Sequence, residues 1–485
     1  LYSVPISGGT AEKLNPALPT DADVGSWFAI SPDSSRVVYT AGQETLDTME
    51  IYSVPITGGS STKLNDPLTA GSDIVNKFKI SPDSTRVVYG VGTGSYYQEL
   101  FSSPIGGGTP AQLNSALISV IFTMDISADS SRVVYKNSGN GYKNHYSVSI
   151  EGGPIARLNP ELQADQWGLD FLISPDSSTV VYEICTEGPT HRWNELFSVP
   201  ISGGTSTQLT PNPVPMDEYV EDFITSPDGS YTIFRARDTH DGCDTFHLYS
   251  APVMGGTPVR LNPDLVVGGN VLDDYQISPD SQTVVYLADQ DTDEVPELYA
   301  VPITGGTAAR LNPEYTGSET LTRFMITPDS NAVVYRADQD TSNVYELYAV
   351  PMTGGASTKL NKSLVTSGNV TDFDISPDSA RVVYRADQDT NGIYELYAVP
   401  ITGPASSGVK LNKPLVSGGD VDDVFHISTS NRVVYRADQD TDNVVEIYMV
   451  PITGPASNGI RLNGALASNR DVGTNFRISP VTSRV

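Results

Sequence analysis

Twelve acidic residues in the C-terminal half of this 485-residue chain fall into four sets with one spacing, i, i+2 and i+8. They are Asp289, Asp291 and Glu297; Asp338, Asp340 and Glu346; Asp387, Asp389 and Glu395; and Asp438, Asp440 and Glu446. A hard cation such as Ca2+ takes several oxygen ligands, and two aspartates one residue apart with a returning glutamate offer them from a short loop. Calcium is therefore one reading of the sets, although the EF-hand pattern is absent and Gly392 is the only glycine in the four loops. Turn chemistry is the other reading, because aspartate side chains accept hydrogen bonds from backbone amides close by and so build loops themselves. On that reading Glu346, Glu395 and Glu446 pair across a hairpin with Arg336, Arg385 and Arg436, while Leu287 stands at the arginine position of the remaining copy.

Three further groups of residues have chemistry to offer. Cys185 and Cys243 lie 58 positions apart, in "EICTEGPTHRWNE" and "RARDTHDGCDTFH". In an oxidising compartment they form a disulfide; the alternatives are a tetrahedral zinc site with His191 and His240, or two free thiols. Tyr96, Tyr97 and Tyr142 fall in the glycine-rich loops "GVGTGSYYQE" and "KNSGNGYKNH", on what would be one rim, a contact surface for sugar rings or a protein. Ordinary exposed loop aromatics look the same in sequence. No GxSxG, HExxH, P-loop or GxGxxG sequence occurs, and His145, His191, His240, His247 and His426 are dispersed, so no catalytic residue is assigned.

The elements that must position these residues are repeats. A "VPI" proline recurs at Pro5, Pro55, Pro104, Pro200, Pro252, Pro302, Pro351, Pro400 and Pro451, and Ser149 takes its place once, with spacings of 45 to 52 residues. An "ISPDS" element precedes each apolar "VVY" run, as in Phe373 to Tyr384, where Pro377 and Asp378 suit the central positions of a type I turn. A second hairpin follows, from Tyr384 through the polar loop to Ile401, so one period holds four short strands. The runs are apolar without strict alternation, as expected when both faces of a sheet are covered. A period near fifty with four strands is what radial repetition of four-stranded sheets requires. Cys185 and Cys243 then occupy equivalent loops of adjacent repeats.

"ISPDS…VVY" followed by "ELYAVPITGG…LN" resembles the TolB-like, PD40 class of WD40-like β-propeller repeats, over essentially the whole chain. The resemblance implies an all-β fold, a single propeller domain over residues 1–485. Leu1 begins at what that class would name a third strand, and Val485 stops within a second. Ten blades follow if residues 1–15 pair with 476–485 in one closing blade, shared by 1–15 and 472–485; two five-bladed rings or an open arc are the alternatives, although nothing between Pro200 and Pro252 reads as a linker. Two copies with two extra residues, "ITGPASSGVKLN" and "ITGPASNGIRLN", should protrude, and "HISTSNRVVY" lacks the Pro-Asp turn and should be tighter or irregular.

Composition bounds the function. With 29 basic against 58 acidic residues the formal charge is −29, which repels phosphate backbones and anionic membranes, so nucleic acid is no partner. No apolar run reaches the length of a membrane span. The chain opens within a repeat without an initiator methionine and so reads as a portion of a longer product. Acidity, abundant Ser, Thr and Gly, and the TolB-like resemblance point to a prokaryotic surface, periplasmic or secreted location. Asn361 and Asn369 match the N-glycosylation pattern. The functional expectation is a non-enzymatic binding or structural scaffold that holds a protein or glycan on its loop face or central channel, in a homo- or hetero-assembly. The alternative is the propeller part of an enzyme, either a glycan lyase or hydrolase at the channel mouth or a peptidase whose catalytic domain lies outside this span.

Overall fold

The computed structural model describes all residues except 45, 47, 70, 94–95, 115–119, 140–141, 189–191, 211–218, 239–244, 316–318, 467–469 and 482–483. The chain divides into two compact units, residues 1–3 with 12–260 and residues 4–11 with 261–485. Both are built of short antiparallel strands. Among the described residues the helical turns are two 3-10 segments, Ala405–Ser407 and Ala456–Asn458.

The first unit holds five four-stranded sheets, each with its strands in sequence order. The first sheet comprises Val24–Ile30, Arg36–Ala41, Glu50–Pro55 and Thr62–Lys63. The third comprises Val120–Ile126, Arg132–Gly139, Tyr142–Ser149 and Ala156–Arg157, and it is joined to the second where Ile121 pairs with Tyr97. The fourth comprises Gln166–Ile173, Thr179–Glu187, Arg192–Pro200 and Thr207–Gln208. The fifth runs from Tyr219–Thr225 to Val259–Arg260. Tyr2–Ser3 pairs with Glu12–Lys13 in the same unit.

Four such sheets, the sixth to the ninth, form the second unit, from Val271–Ile277 to Ile460–Arg461. Its tenth sheet comes from the chain ends. Val4 and Val485 exchange both backbone hydrogen bonds at 2.9 Å, and Pro5 bridges Arg484 antiparallel. Val4, Ile6 and Phe476 are buried there with Ile447, Met449 and Leu462. The expected all-β architecture of four-stranded antiparallel β-propeller blades is the one observed, and the expected meeting of the N-terminal and C-terminal segments is present as the Val4–Val485 pairing and the Pro5–Arg484 bridge.

The repeated residues account for the sheets. Val333, Val334 and Tyr335 are wholly buried, because the second strand of each blade is covered on both faces. Register places the "VVY" tyrosine opposite the "LY" tyrosine, as in Tyr335 and Tyr348, whose rings stack at 5.5 Å. The asparagine of "LN" ties the fourth strand to the third: Asn361 Oδ1 accepts the Leu347 amide at 2.7 Å, and the same bond recurs at Asn65, Asn114, Asn159, Asn312, Asn412 and Asn463. Asn361 is 1% exposed, which leaves its glycosylation pattern without an accessible amide.

The "SPDS" turn also links blades. The Ser379 amide donates to the Ser376 carbonyl at 2.9 Å, which puts Pro377 and Asp378 at the turn centre, and Asp378 Oδ1 accepts from Ser376 Oγ and the Ala380 amide. Ser379 sits at φ 56°, and its hydroxyl accepts the Asp329 amide of the preceding blade at 3.0 Å. Equivalent bonds join Asp33 to Ser84, Asp83 to Ser130, Asp129 to Ser177 and Asp280 to Ser330. In "HISTSNRVVY" the turn is one residue shorter, closed by Ser428 and Arg432, as its missing Pro-Asp implies. The extra residues of the "ITGP" copies coil into the two 3-10 turns, none of whose own residues is buried, between the buried Gly403 and Gly408 and the buried Gly454 and Gly459.

Candidate binding loops

The four acidic loops join the second and third strands of the sixth to ninth sheets. In each, the three carboxylates have separate tasks. The first aspartate closes the loop. Asp387 Oδ1 accepts the Asn369 amide at 2.6 Å, at the entry to its own sheet, and Oδ2 accepts the Gly392 amide at 3.0 Å, five residues on. Asp338 bonds the Thr320 and Asn343 amides, Asp289 those of Asn270 and Glu294, and Asp438 those of Asp420 and Asn443. The residues reached by Oδ2 all have φ near +60 to +76°, so the bond holds a left-handed turn.

The glutamate is buried at the base of the third strand. Glu395 accepts from Tyr397 Oη at 2.9 Å and pairs with Lys410 Nζ at 2.6 Å. Glu446 takes Tyr448 and Arg461 at 2.8 and 2.9 Å, Glu297 takes Tyr299 and Arg310 at 2.9 and 3.3 Å, and Glu346 takes Tyr348 and Lys359. The cation comes from the fourth strand. This corrects the pairing with Arg336, Arg385 and Arg436: those residues lie opposite Leu347, Leu396 and Ile447, one position out of register with the glutamates, and side chains alternate between faces. Arg385 instead lies over the Tyr394 ring at 3.9 Å and donates to the Val421 carbonyl of the next blade at 2.7 Å.

The second aspartate is about half exposed and shares the same cation: Asp389 to Lys410 at 2.7 Å, Asp340 to Lys359 at 3.4 Å, Asp291 to Arg310 at 3.6 Å. Hydrogen bonding and the Lys410 charge hold Asp389 below the usual carboxylate range against the opposing effect of burial. Tyr299, Tyr348 and Tyr397 are pushed far up by burial and by their carboxylate neighbours, so their hydroxyls are donors throughout the physiological range. The glutamine between the aspartates is a further strut, with Gln388 Oε1 accepting from Tyr384 Oη at 3.0 Å. The first aspartate thus points to backbone amides, while the second aspartate and the glutamate converge on one cation. Among the described residues no group of three or more His, Cys, Asp or Glu is arranged to hold a metal ion.

One copy escapes the i, i+2, i+8 pattern. In the first sheet Glu50 accepts from Tyr52 Oη at 2.8 Å and pairs with Lys63, which also holds Glu44 at 2.9 Å. The legible signal was Glu-x-Tyr followed by a fourth-strand lysine, not the aspartates. Cys185 is buried on the Thr179–Glu187 strand, and burial pushes its thiol up to about 11. Its candidate partners Cys243, His191 and His240 lie outside the described residues, as do the side chains of Tyr96, Tyr97 and Tyr142, whose backbones open the Tyr96–Pro104 and Tyr142–Ser149 strands.

A family model described as "Lipoprotein LpqB beta-propeller domain" matches residues 255–469. The match covers the second unit's four complete sheets. No curated protein matches the sequence. Among solved structures, Porphyromonas gingivalis dipeptidyl peptidase 4 is similar at a TM-score of 0.50 and 11% identity, covering 86% of this chain and 65% of that one. A prolyl endopeptidase structure is similar at a TM-score of 0.40 and 12% identity over 76% of this chain and 55% of its own. An oligogalacturonate lyase in complex with manganese is similar at 0.37 and 16%, over 72% and 97%. This chain therefore spans little more than half of the prolyl endopeptidase and under two thirds of the dipeptidyl peptidase. The dipeptidyl peptidase likeness shows a shared propeller fold. No helix among the described residues is long and apolar enough to cross a membrane.

Proposed function

We propose that this chain is a non-enzymatic binding or scaffold module of the prokaryotic cell envelope or its exterior, of TolB-like, PD40 kinship, that presents its loops to a protein or glycan partner. The observation that carries this reading is the construction of the acidic loops. Each is closed by an aspartate, buried at Asp289, Asp338 and Asp387 and partly buried at Asp438, each is based on a buried glutamate, and each leaves one carboxylate exposed to solvent at a repeated position on four successive blades. A loop held in this way loses little conformational freedom on binding. The lipoprotein domain that matches residues 255–469 supports an envelope location.

The test is a quantitative binding screen of the purified chain against a glycan array and an envelope-protein fraction, with the combined variant Asp291→Asn, Asp340→Asn, Asp389→Asn and Asp440→Asn as control. Saturable binding that the variant loses supports the reading. Turnover of dipeptidyl or oligogalacturonate substrates by the purified chain would instead establish the enzymatic alternative.

A further inference from the structure

At one place in the first unit the repeat breaks its own rule. The third-strand residue whose amide is held by the "LN" asparagine is Ile51, Leu100, Leu298, Leu347, Leu396 or Ile447 in sister sheets, and His145 in the third sheet. His145 is wholly buried and crosses into the fourth sheet, where its ring packs on Phe171 at 5.8 Å and Tyr182 at 5.3 Å. The socket depends on Gly168, since a Cβ there would stand 2.5 Å from His145 Cε1. Nε2 lies 3.1 Å from the Leu169 carbonyl, at the bulge between Gly168 and Phe171. A carbonyl only accepts, so Nε2 carries the proton and Nδ1 is a bare acceptor. That Nδ1 is buried without a hydrogen-bond partner.

We propose that His145 in its Gly168 socket makes the seam between the third and fourth sheets an acid-sensitive joint, closed while the imidazole is neutral and loosened when it is protonated. A proton on Nδ1 would bury a second N–H with nothing to accept it, and a charge with little water. The charged groups facing the ring do not offset this. Lys136, opposite His145 in register, repels the imidazolium, and Asp170 of the fourth sheet, whose carboxylate is largely exposed, is already paired with Lys136 at 3.2 Å. Glu183 lies behind Asp170, where burial pushes it up to about 8, so it is neutral in acid. Burial first, then Lys136, lowers His145 from 6.5 to about 4, against the raising effects of the Leu169 carbonyl and Asp170. With the folded value depressed, seam stability is full above about 6.5 and is lost as pH falls towards about 4.

The experiment is native-state hydrogen exchange on the whole chain at about pH 7 and about pH 4.5, corrected for intrinsic rates. The Tyr142–Ser149 and Gln166–Ile173 strands are compared with the Glu395–Pro400 and Val421–Ile427 strands, whose seam carries Leu396. Expected is a loss of protection of tenfold or more, up to roughly 60-fold, at the His145 seam and none at the Leu396 seam. His145→Leu, the sister residue, should abolish the difference. Equal pH dependence at the two seams, or an unchanged acid loss in His145→Leu, overturns the proposal. Should that variant not fold, the imidazole Cε1–H signal of the wild-type chain decides: titration above about pH 6 refutes the joint, and titration near 4 supports it.

Discussion

Replacement of Asp387 by alanine separates the two kinds of aspartate in the loops. Asp387 is 3% exposed and bonds two amides, those of Asn369 and Gly392, at 2.6 and 3.0 Å. The alanine variant strands both, and hydrogen bonds to a charged group are worth about 1.5–3 kcal/mol each, so the loss should be about 3 kcal/mol after partial rescue by water. Asp389, two residues on, is half exposed, and its partner Lys410 keeps Glu395. Asp389→Ala should cost about 0.5 kcal/mol or less. Native-state hydrogen exchange at Val370 and Leu396, whose amides bond Tyr345 and Asn412 on either side of the loop, reads both effects. The expected rate increases are roughly 150-fold for Asp387→Ala and under about threefold for Asp389→Ala. Similar increases in the two variants would refute the division of labour and restore the view that the aspartates act as one ligand set.

Other outcomes follow from the same geometry. Asp33, Asp83, Asp129, Asp176, Asp329 and Asp378 are held below 3.8 by turn hydroxyls and amides, so the stability they contribute is present above 3.8 and is lost as pH falls further; acid unfolding followed by circular dichroism should steepen there, and Asp378→Asn should soften it. Ser379→Gly keeps the positive φ while removing the acceptor for the Asp329 amide, and should lower stability by about 1 kcal/mol in urea denaturation. Excess calcium or a chelator should leave the melting temperature unchanged, because the loop carboxylates are committed to amides, tyrosines, lysines and arginines; a calcium-dependent rise would overturn that assignment.

Much of this architecture could be read in the chain itself. A period near fifty, apolar second and third strands, and Pro-Asp turns leave few alternatives to four-stranded blades, because each run is too apolar for a sheet with a wet face. The closing pairing of Val4 with Val485 was legible for the same reason: a third strand at one end and a second strand at the other each lack a neighbour. The chemistry of the loops was not legible, since spacing places Asp387, Asp389 and Glu395 on one loop but says nothing about which oxygen meets which donor. That depended on register. A one-residue offset turned Arg385 towards Tyr394 and the next blade and left Glu395 to Lys410, a residue 15 positions away on the fourth strand. The Ser379 bond to the preceding blade and the seating of His145 against Gly168 are likewise contacts between repeats, set by packing geometry that no single repeat encodes.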